Sequence, residues 1–185
     1  MNESRPQLVI RIGETLYGLQ IAPKAPGECR SAWSPDRTEV AGATSYFDGL
    51  ANTQAMAEAG LKVAQWALAM EIDGHKDWYI PSRDELELLY RHYKPTTETN
   101  YVYRAGDNPS SVPAGYPYTE TSPAQTNAAG FKQGEADAFD DAWYWSSTQF
   151  SRDFAWGQLF DYGYQDNLVK SSEARCRLVR RFAIE

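Results

Sequence analysis

The N-terminal part of the chain alternates hydrophobic and polar residues as β-strands do. Residues 8–12 and 15–21 are rich in leucine, isoleucine and other β-forming side chains, and Gly13 and Glu14 between them can form a tight turn. This pattern predicts a β-hairpin. Residues 22–50 lose the alternation and contain three prolines and several glycines, which predicts a loop.

Apolar residues then recur every three or four positions, a spacing that places them on one face of a helix. Residues 52–74 show this spacing, with Met56 on the apolar face. Asn52 or Thr53 can cap the start, because these side chains accept hydrogen bonds from free backbone N–H groups. One continuous helix that ends at Gly74 and packs its apolar face on the core is therefore predicted.

A second helix is predicted directly after Pro81. Ser82 stands where an N-cap residue would, and Glu85 follows three residues later. In this capping-box arrangement, each side chain accepts a hydrogen bond from the backbone N–H of the other residue. Four residues share the predicted buried face of the helix: Leu86, Leu89, Tyr90 and Tyr93.

Residues 94–140 show no sustained hydrophobic period and contain five of the ten prolines. Irregular segments of this length inside a compact domain are usually functional or disordered. The segment also carries several tyrosines, which need a surface to pack against, so simple disorder is disfavoured. We predict a long irregular loop over 94–142 within a single domain of residues 1–185.

Three further strands are predicted after that loop, at 143–148, 153–160 and 175–182, with a turn at 161–167. The second of these strands has apolar side chains on both faces, as a central strand covered on both sides does. The many aromatic residues of 144–163 are therefore expected to be mostly core. The last strand is expected to return to the N-terminal hairpin.

Composition narrows the class of partner. The formal net charge is -7, which disfavours a nucleic-acid partner because phosphate binding needs a basic face. No apolar run reaches the roughly 18 residues of a membrane span, so membrane insertion is not expected. The first residues lack the basic-then-apolar pattern of a signal peptide, and we expect the protein to be made in the cytoplasm.

Two residue types that often carry chemistry are scarce. The chain has two histidines and two cysteines, and neither type shows a metal-binding or redox spacing. Metal-dependent or nucleophilic catalysis therefore has few candidate groups. Cys29 and Cys176 are either two free thiols or the partners of one long-range disulfide.

Four separated motifs occur in a distinctive order: DWYIPSRDELELLY at 77–90, YWSST at 144–148, AWGQLFDYG at 155–163 and RCRLVR at 175–180. Together they resemble the Lcl C-terminal-like family, formerly a domain of unknown function. Ile80 stands where leucine is common in that family, and the central loop is long. The order of the predicted helices and strands resembles the C-type lectin-like fold.

The resemblance implies an α+β, C-type lectin-like fold. Two helices would pack on a small twisted antiparallel sheet, and a long irregular loop region would carry the recognition face, formed by 94–142 with 149–152 and 161–170. Loops on a rigid scaffold are common binding sites, and aromatic side chains are favoured anchors. The tyrosines could instead hold the loop against the domain. The candidate ligand-binding residues are Tyr101, Tyr103, Tyr116, Tyr118, Asp141 and Trp143.

The resemblance also implies a function without catalysis, because the family has no general catalytic activity and occurs in bacterial surface and secreted proteins, some of them adhesive, and in phage genomes. We expect a binding module that recognises a host-cell glycan or protein, as a surface adhesin or a phage tail or fibre tip. Proteins of this fold type usually act outside cells, yet the sequence shows no export signal. A virion component would explain both facts, because it is made in the cytoplasm and released when the cell lyses. Such a component could be a homotrimer. The alternatives are a structural assembly subunit and a cytosolic inhibitor that binds a protein.

Two further chemistries receive little support from the residues. An enzyme of the formylglycine-generating type would need several cysteines near the C-terminus, and only Cys176 lies there. Clustered carboxylates can hold calcium, and the acidic runs at 135–141 and 161–166 contain six of them. Neither run has the spacing of a calcium-binding loop, and the E-P-N and W-N-D triplets of calcium-dependent lectins are absent. No metal ligand and no cofactor are therefore predicted, and a calcium site is kept as the alternative.

Overall fold

The computed structural model describes residues 8–184, which form eight strands and four helices. The strands are β1 (Leu8–Ile12), β2 (Thr15–Ile21), β3 (Glu28–Ala32), β4 (Trp143–Gln149), β5 (Phe154–Leu159), β6 (Gln165–Val169), β7 (Glu173–Arg177) and β8 (Val179–Ala183). The helices are α1 (Lys24–Gly27), α2 (Gly49–Glu58), α3 (Lys62–Ala69) and α4 (Arg83–Tyr93). None of these helices has the length and hydrophobicity that a membrane span requires. Residues 1–7, where the sequence predicts no export signal, lie outside the described residues.

The smaller sheet joins the two ends of the described chain and has the strand order β1-β2-β8. β1 and β2 form the N-terminal hairpin with the predicted bounds, and Gly13 takes a positive φ of 60° in its turn. β8 pairs antiparallel with β2. The end of the chain therefore returns to the hairpin, as the sequence predicts.

The larger sheet has the strand order β3-β7-β4-β5-β6. β5 pairs antiparallel with both β4 and β6, whereas β4 and β7 run parallel. Successive side chains of a strand point to opposite faces of the sheet. Along β4, Tyr144 belongs to one hydrophobic cluster and Trp145 to a second, so the larger sheet separates two cores.

The single helix predicted over 52–74 is two helices in the structure. Gly60, between α2 and α3, takes a positive φ of 86°. Glycine adopts a positive φ readily, but a right-handed helix needs a negative φ at every residue and therefore ends there. α2 also starts earlier than predicted, because Asp48 is its cap and accepts a hydrogen bond from the backbone N–H of Ala51 (3.0 Å).

α4 begins with the predicted capping box. The Ser82 hydroxyl oxygen accepts from the backbone N–H of Glu85 (3.3 Å), and the Glu85 carboxylate accepts from the backbone N–H of Ser82 (2.7 Å). Glu85 is fully buried and also accepts from the Tyr79 hydroxyl (2.8 Å) and the backbone N–H of Gly49 (3.2 Å). Burial raises the pKa of Glu85 to about 7. This one side chain therefore fastens the start of α4 to the start of α2.

Residues 94–142 contain no helix or strand, and they pack along α4 instead of standing away from it. Asn108 donates to Glu87 Oε2 (2.6 Å), and the Ser110 hydroxyl donates to Asp84 Oδ2 (2.6 Å). Three aromatic side chains of this segment are buried in the first core: Tyr118, Phe131 and Phe139. The long loop is therefore part of the folded body, and only some of its side chains face outward.

The predicted fold class is wrong. The sequence predicts an α+β, C-type lectin-like fold with two helices on one small antiparallel sheet. Residues 8–184 form a mostly β, sandwich-like arrangement of two sheets, with three and five strands, and short helices. The predicted strand 175–182 divides at Leu178 into β7 and β8, which join different sheets. Residues 28–32 and 165–169, not predicted as strands, add β3 and β6. The assignment of 1–185 to one domain stays a prediction.

Candidate functional site

Tyr118 anchors the long loop and is not part of its surface. Its side chain is 4% exposed, and its hydroxyl donates to Glu87 Oε1 (2.7 Å). Burial and the neighbouring Glu87 carboxylate raise the pKa of Tyr118 well above its usual value. A buried phenol bonded in this way does not meet a partner at the surface, so we remove Tyr118 from the candidate binding residues.

Tyr116, two residues earlier, does reach the surface. Half of its side chain is exposed, and the Arg91 guanidinium of α4 lies 4.4 Å from its ring centroid. Arg91 also lies 5.1 Å from the Tyr118 ring and pairs with Glu87 (2.7 Å). A guanidinium over an aromatic face is attracted by the ring. Arg91 therefore brings the two predicted tyrosines together, one exposed and one buried.

Tyr101 and Trp143 meet at a third aromatic residue, Tyr164. The ring centroids of Tyr101 and Tyr164 are 4.5 Å apart and those of Trp143 and Tyr164 are 5.8 Å apart, both edge to face. The Tyr164 hydroxyl donates to Asp166 Oδ2 (2.7 Å), and this hydrogen bond raises the pKa of Tyr164 to about 12. All three rings are half-buried, so they form a small aromatic group beside the start of β6.

Tyr103 and Asp141 have other neighbours. Tyr103 is 64% exposed, with the Arg104 guanidinium 5.1 Å from its ring. Asp141 is exposed and accepts a hydrogen bond from Gln133 Nε2 (2.9 Å). The structure therefore pairs some of the six predicted residues but does not gather them into one site.

A different group has the features expected of a recognition surface. We call it the aromatic–arginine cluster: Tyr46, Arg83, Phe150 and Trp156. The Arg83 guanidinium lies 5.1 Å from the Tyr46 ring centroid and 4.9 Å from that of Trp156. Tyr46 and Phe150 both pack edge-on against Trp156, with centroid distances of 6.1 and 5.3 Å. Tyr46 is 41% exposed and Phe150 is 51% exposed.

Local structure explains how these four residues meet. Trp156 lies in β5 and Phe150 comes directly after β4, so the hairpin between the two strands presents both rings. Arg83 is the first residue of α4, where the capping box fixes the backbone. The backbone N–H of Asp84 donates to the carbonyl of Tyr46 (2.9 Å), which holds the loop before α2 against the start of α4.

Three buried polar atoms in or beside the cluster have no hydrogen-bond partner among residues 8–184: Arg83 Nε, Trp156 Nε1 and Gln165 Oε1. Gln165 adjoins the cluster, because its Nε2 lies 3.4 Å from the Arg83 carbonyl oxygen. Buried polar atoms are normally paired. Two donors and one acceptor are thus left without a partner in the described part of the chain. By contrast, the indole N–H groups of three core tryptophans each donate to a backbone carbonyl: Trp33, Trp78 and Trp145.

One face of α4 connects the cluster with Tyr116. Arg83, Glu87 and Arg91 are spaced by four residues and so lie one above another on the helix. A chain of side-chain hydrogen bonds links the cluster to the middle of this face, through Gln165, Gln158, Tyr118 and Glu87. Exposed rings therefore stand at both ends of this face, with a polar network between them.

The sequence contains one signal for this cluster. Phe154, Trp156 and Gln158 alternate along β5 with smaller or aliphatic residues, which gives Trp156 and Gln158 a common face. This signal is missed when the aromatic residues of 144–163 are interpreted as mostly core. In the structure Trp156 is only half-buried and Phe150 is exposed. Nothing near Tyr46 in the sequence marks it as a neighbour of Trp156.

Two of the six carboxylates considered as calcium ligands pair with basic side chains. Asp140 binds Lys24 (2.7 Å) and Arg175 (2.7 Å), and Asp137 lies 3.5 Å from Arg177. Within the described part of the chain, no group of three or more His, Cys, Asp and Glu side chains is placed to hold a metal ion. The expectation that the protein has no cofactor stays a prediction.

The chain is similar to a solved structure and to a protein family. The structure is that of a fimbrial protein from Bacteroides ovatus ATCC 8483, with 14% sequence identity and a TM-score of 0.47. The likeness covers 90% of this chain and 35% of that protein, so the chain spans about a third of its length. No curated protein matches the chain. The family model of the Lcl C-terminal domain matches residues 27–180, far more than half of the chain. As the four sequence motifs predicted, the protein belongs to the Lcl C-terminal domain family.

Proposed function

We propose that this protein is a non-enzymatic binding module that recognises a glycan on a cell surface through the aromatic–arginine cluster. Membership of the Lcl C-terminal domain family supports the coarser part of this function, an adhesin-like protein without catalytic activity. The glycan ligand and the host cell are the finer parts that we add from the chemistry of the surface.

The observation that decides the choice of ligand is a pair of exposed rings beside unpaired polar atoms. Tyr46 and Phe150 can stack on the apolar face of a sugar ring, since aromatic side chains offer large flat contact surfaces. Sugar hydroxyls both donate and accept hydrogen bonds, so they match the donors of Arg83 and Trp156 and the acceptor of Gln165. The three atoms are buried beneath the cluster. Because exposed side chains change rotamer within nanoseconds, we expect a rotation of Tyr46 or Phe150 to admit a sugar hydroxyl to them.

Charge favours a neutral glycan over an acidic one. The Arg83 guanidinium is already paired with Asp84 (3.0 Å), so little of its charge is left to attract an anion. The formal net charge of the chain is -7, which repels acidic ligands at long range. Stacking and hydrogen bonds to hydroxyl groups are therefore the main forces expected at this surface.

The module would serve equally on a bacterial surface or at the tip of a phage tail or fibre, because both settings present a binding site to a cell. Several copies in one assembly, as in a homotrimer, would raise the overall affinity through multivalency. Neighbouring tail or baseplate genes would assign the protein to a virion, and neighbouring genes for surface assembly would assign it to a bacterial adhesin.

A glycan array tests the function, and Arg83→Ala tests the site. We expect the wild-type chain to bind a set of neutral glycans, and Arg83→Ala to bind them about tenfold more weakly, because the guanidinium stacks on two rings of the cluster. Arg30→Ala is the matched control, since Arg30 is exposed on β3 at the opposite edge of the larger sheet. If the wild-type chain binds no glycan on the array, the proposed function is wrong. If Arg83→Ala and Arg30→Ala lose glycan affinity equally, the aromatic–arginine cluster is not the binding site.

A further inference from the structure

The two cysteines of the chain lie directly opposite each other on neighbouring strands. Cys29 on β3 is the register partner of Cys176 on β7 in an antiparallel pairing. Directly opposed residues of antiparallel strands have Cα atoms roughly 4.5–5.5 Å apart. Disulfides join residues whose Cα atoms are about 4.4–6.8 Å apart. The backbone therefore already holds these two residues at a distance that a disulfide can bridge.

The two thiols also interact and differ in reactivity. A hydrogen bond with the Cys176 thiol lowers the pKa of Cys29, and the same contact together with burial raises the pKa of Cys176. Cys29 is half-buried, whereas Cys176 is fully buried. The thiolate is the reactive form of a cysteine. Cys29 is therefore both the more accessible sulfur and the one that ionises more readily.

We propose that Cys29 and Cys176 form an intramolecular disulfide when the protein meets a low-molecular-weight disulfide as oxidant. The Cys29 thiolate attacks one sulfur of the oxidant and displaces a thiolate, which leaves a mixed disulfide on Cys29. The Cys176 thiol then releases its proton, attacks Cys29 Sγ and displaces the second thiolate. Two protein thiols lose two electrons in total, and the oxidant is reduced to two thiols.

The bond would fasten β3, an edge strand of the larger sheet, to its neighbour β7. The closed loop runs from residue 29 to residue 176 and contains the aromatic–arginine cluster. Closing so long a loop restricts mainly the unfolded chain, which stabilises the folded one. Disulfides persist in oxidising surroundings such as a cell surface or the medium. The proposed function places the protein there, but the bond itself does not depend on glycan binding.

Oxidation of the purified chain with glutathione disulfide, followed by mass spectrometry and thermal unfolding, tests the bond. We expect the oxidised protein to lose both free thiols and about 2 Da, with no retained glutathione. Its Tm should exceed that of the reduced protein by about 10 °C. Two remaining free thiols, a stable glutathione adduct or a disulfide-linked dimer would overturn the proposal.

Two variants connect the rise in Tm to this bond. Cys29→Ser changes a half-buried position on an edge strand, and its Tm should not respond to the oxidant. Cys176→Ala should stop at the mixed disulfide on Cys29, because no second thiol is present to displace glutathione. A rise in the Tm of Cys29→Ser as large as that of the wild type would overturn the proposal.

Discussion

Replacing Tyr46 and Phe150 together by alanine is expected to weaken glycan binding by about a hundredfold or more, since aromatic hot-spot residues each contribute about 2 kcal/mol or more. Both rings are partly exposed, flank Trp156 and belong to neither buried core, so their loss removes stacking surface and leaves both cores intact. The carbonyl of residue 46 still accepts from the backbone N–H of Asp84. Calorimetric titration with the best array glycan measures the affinity, and the Tm should change little.

Phe182→Ala is the matched control for that double variant. Phe182 is 46% exposed and lies on β8 in the smaller sheet, where its ring packs over Gly18. The change removes an exposed aromatic ring of similar size but leaves the aromatic–arginine cluster intact. We expect wild-type affinity. Equal weakening by Phe182→Ala, or wild-type binding by the double variant, would mean that glycans bind elsewhere.

Replacing Glu85 by alanine is expected to lower the free energy of unfolding by about 4 kcal/mol at pH 5, because each buried polar group left without its partner costs about 1–3 kcal/mol. The change leaves the backbone N–H groups of Ser82 and Gly49 and the Tyr79 hydroxyl without their acceptor. Urea denaturation measures the loss. A loss below about 1 kcal/mol would show that Glu85 does not hold the start of α4.

The variant Glu85→Gln places a side-chain amide at this position that cannot ionise, so it shows how much the charge of Glu85 changes the stability of the protein. Burial raises the folded-state pKa from 4.5 to about 7, so the folded protein holds the proton more tightly than the unfolded chain. The resulting stabilisation is complete below pH 4.5 and is lost as the pH rises through 7. The wild type should therefore lose about 3 kcal/mol of stability relative to Glu85→Gln between pH 4.5 and 8. A stability difference that does not change with pH would contradict the raised pKa.

Two parts of the fold that the sequence predicts correctly, the N-terminal hairpin and the start of α4, depend on residues close together in the chain. The N-terminal hairpin needs only alternating side chains and the turn at Gly13 and Glu14. The start of α4 needs only Ser82 and Glu85, whose capping box closes within four residues. These signals do not depend on the rest of the molecule, so the structure keeps them unchanged.

The parts that the sequence predicts wrongly depend on distant partners. β3 and β6 become strands because β7 and β5 offer them open hydrogen-bonding edges. The division of 175–182 at Leu178 follows from the different sheets that β7 and β8 join, and no local pattern marks it. A fold class based on one small sheet was wrong for this reason.

The sequence also fails to predict which single side chains of the candidate site are exposed, because their burial depends on distant partners. Tyr116 and Tyr118 are two residues apart and look alike in the sequence, yet only Tyr118 is buried. The Glu87 carboxylate of α4 decides the difference, because it accepts the hydrogen bond that a buried Tyr118 hydroxyl needs. Tyr46 and Trp156 lie far apart in the sequence. Hydrogen bonds from α4 and from the end of β4 to the loop around Tyr46 bring them together.

Titration with glycan, followed by the NMR signals of the tryptophan indole N–H groups, tests most directly whether glycans contact the aromatic–arginine cluster. The Trp156 indole has no hydrogen-bond partner in the described part of the chain, and Trp156→Phe assigns its signal. Glycan addition should shift the Trp156 signal and leave unchanged those of the tryptophans bonded to backbone carbonyls, Trp33, Trp78 and Trp145. A glycan that binds while the Trp156 signal stays in place would contradict this assignment of the site.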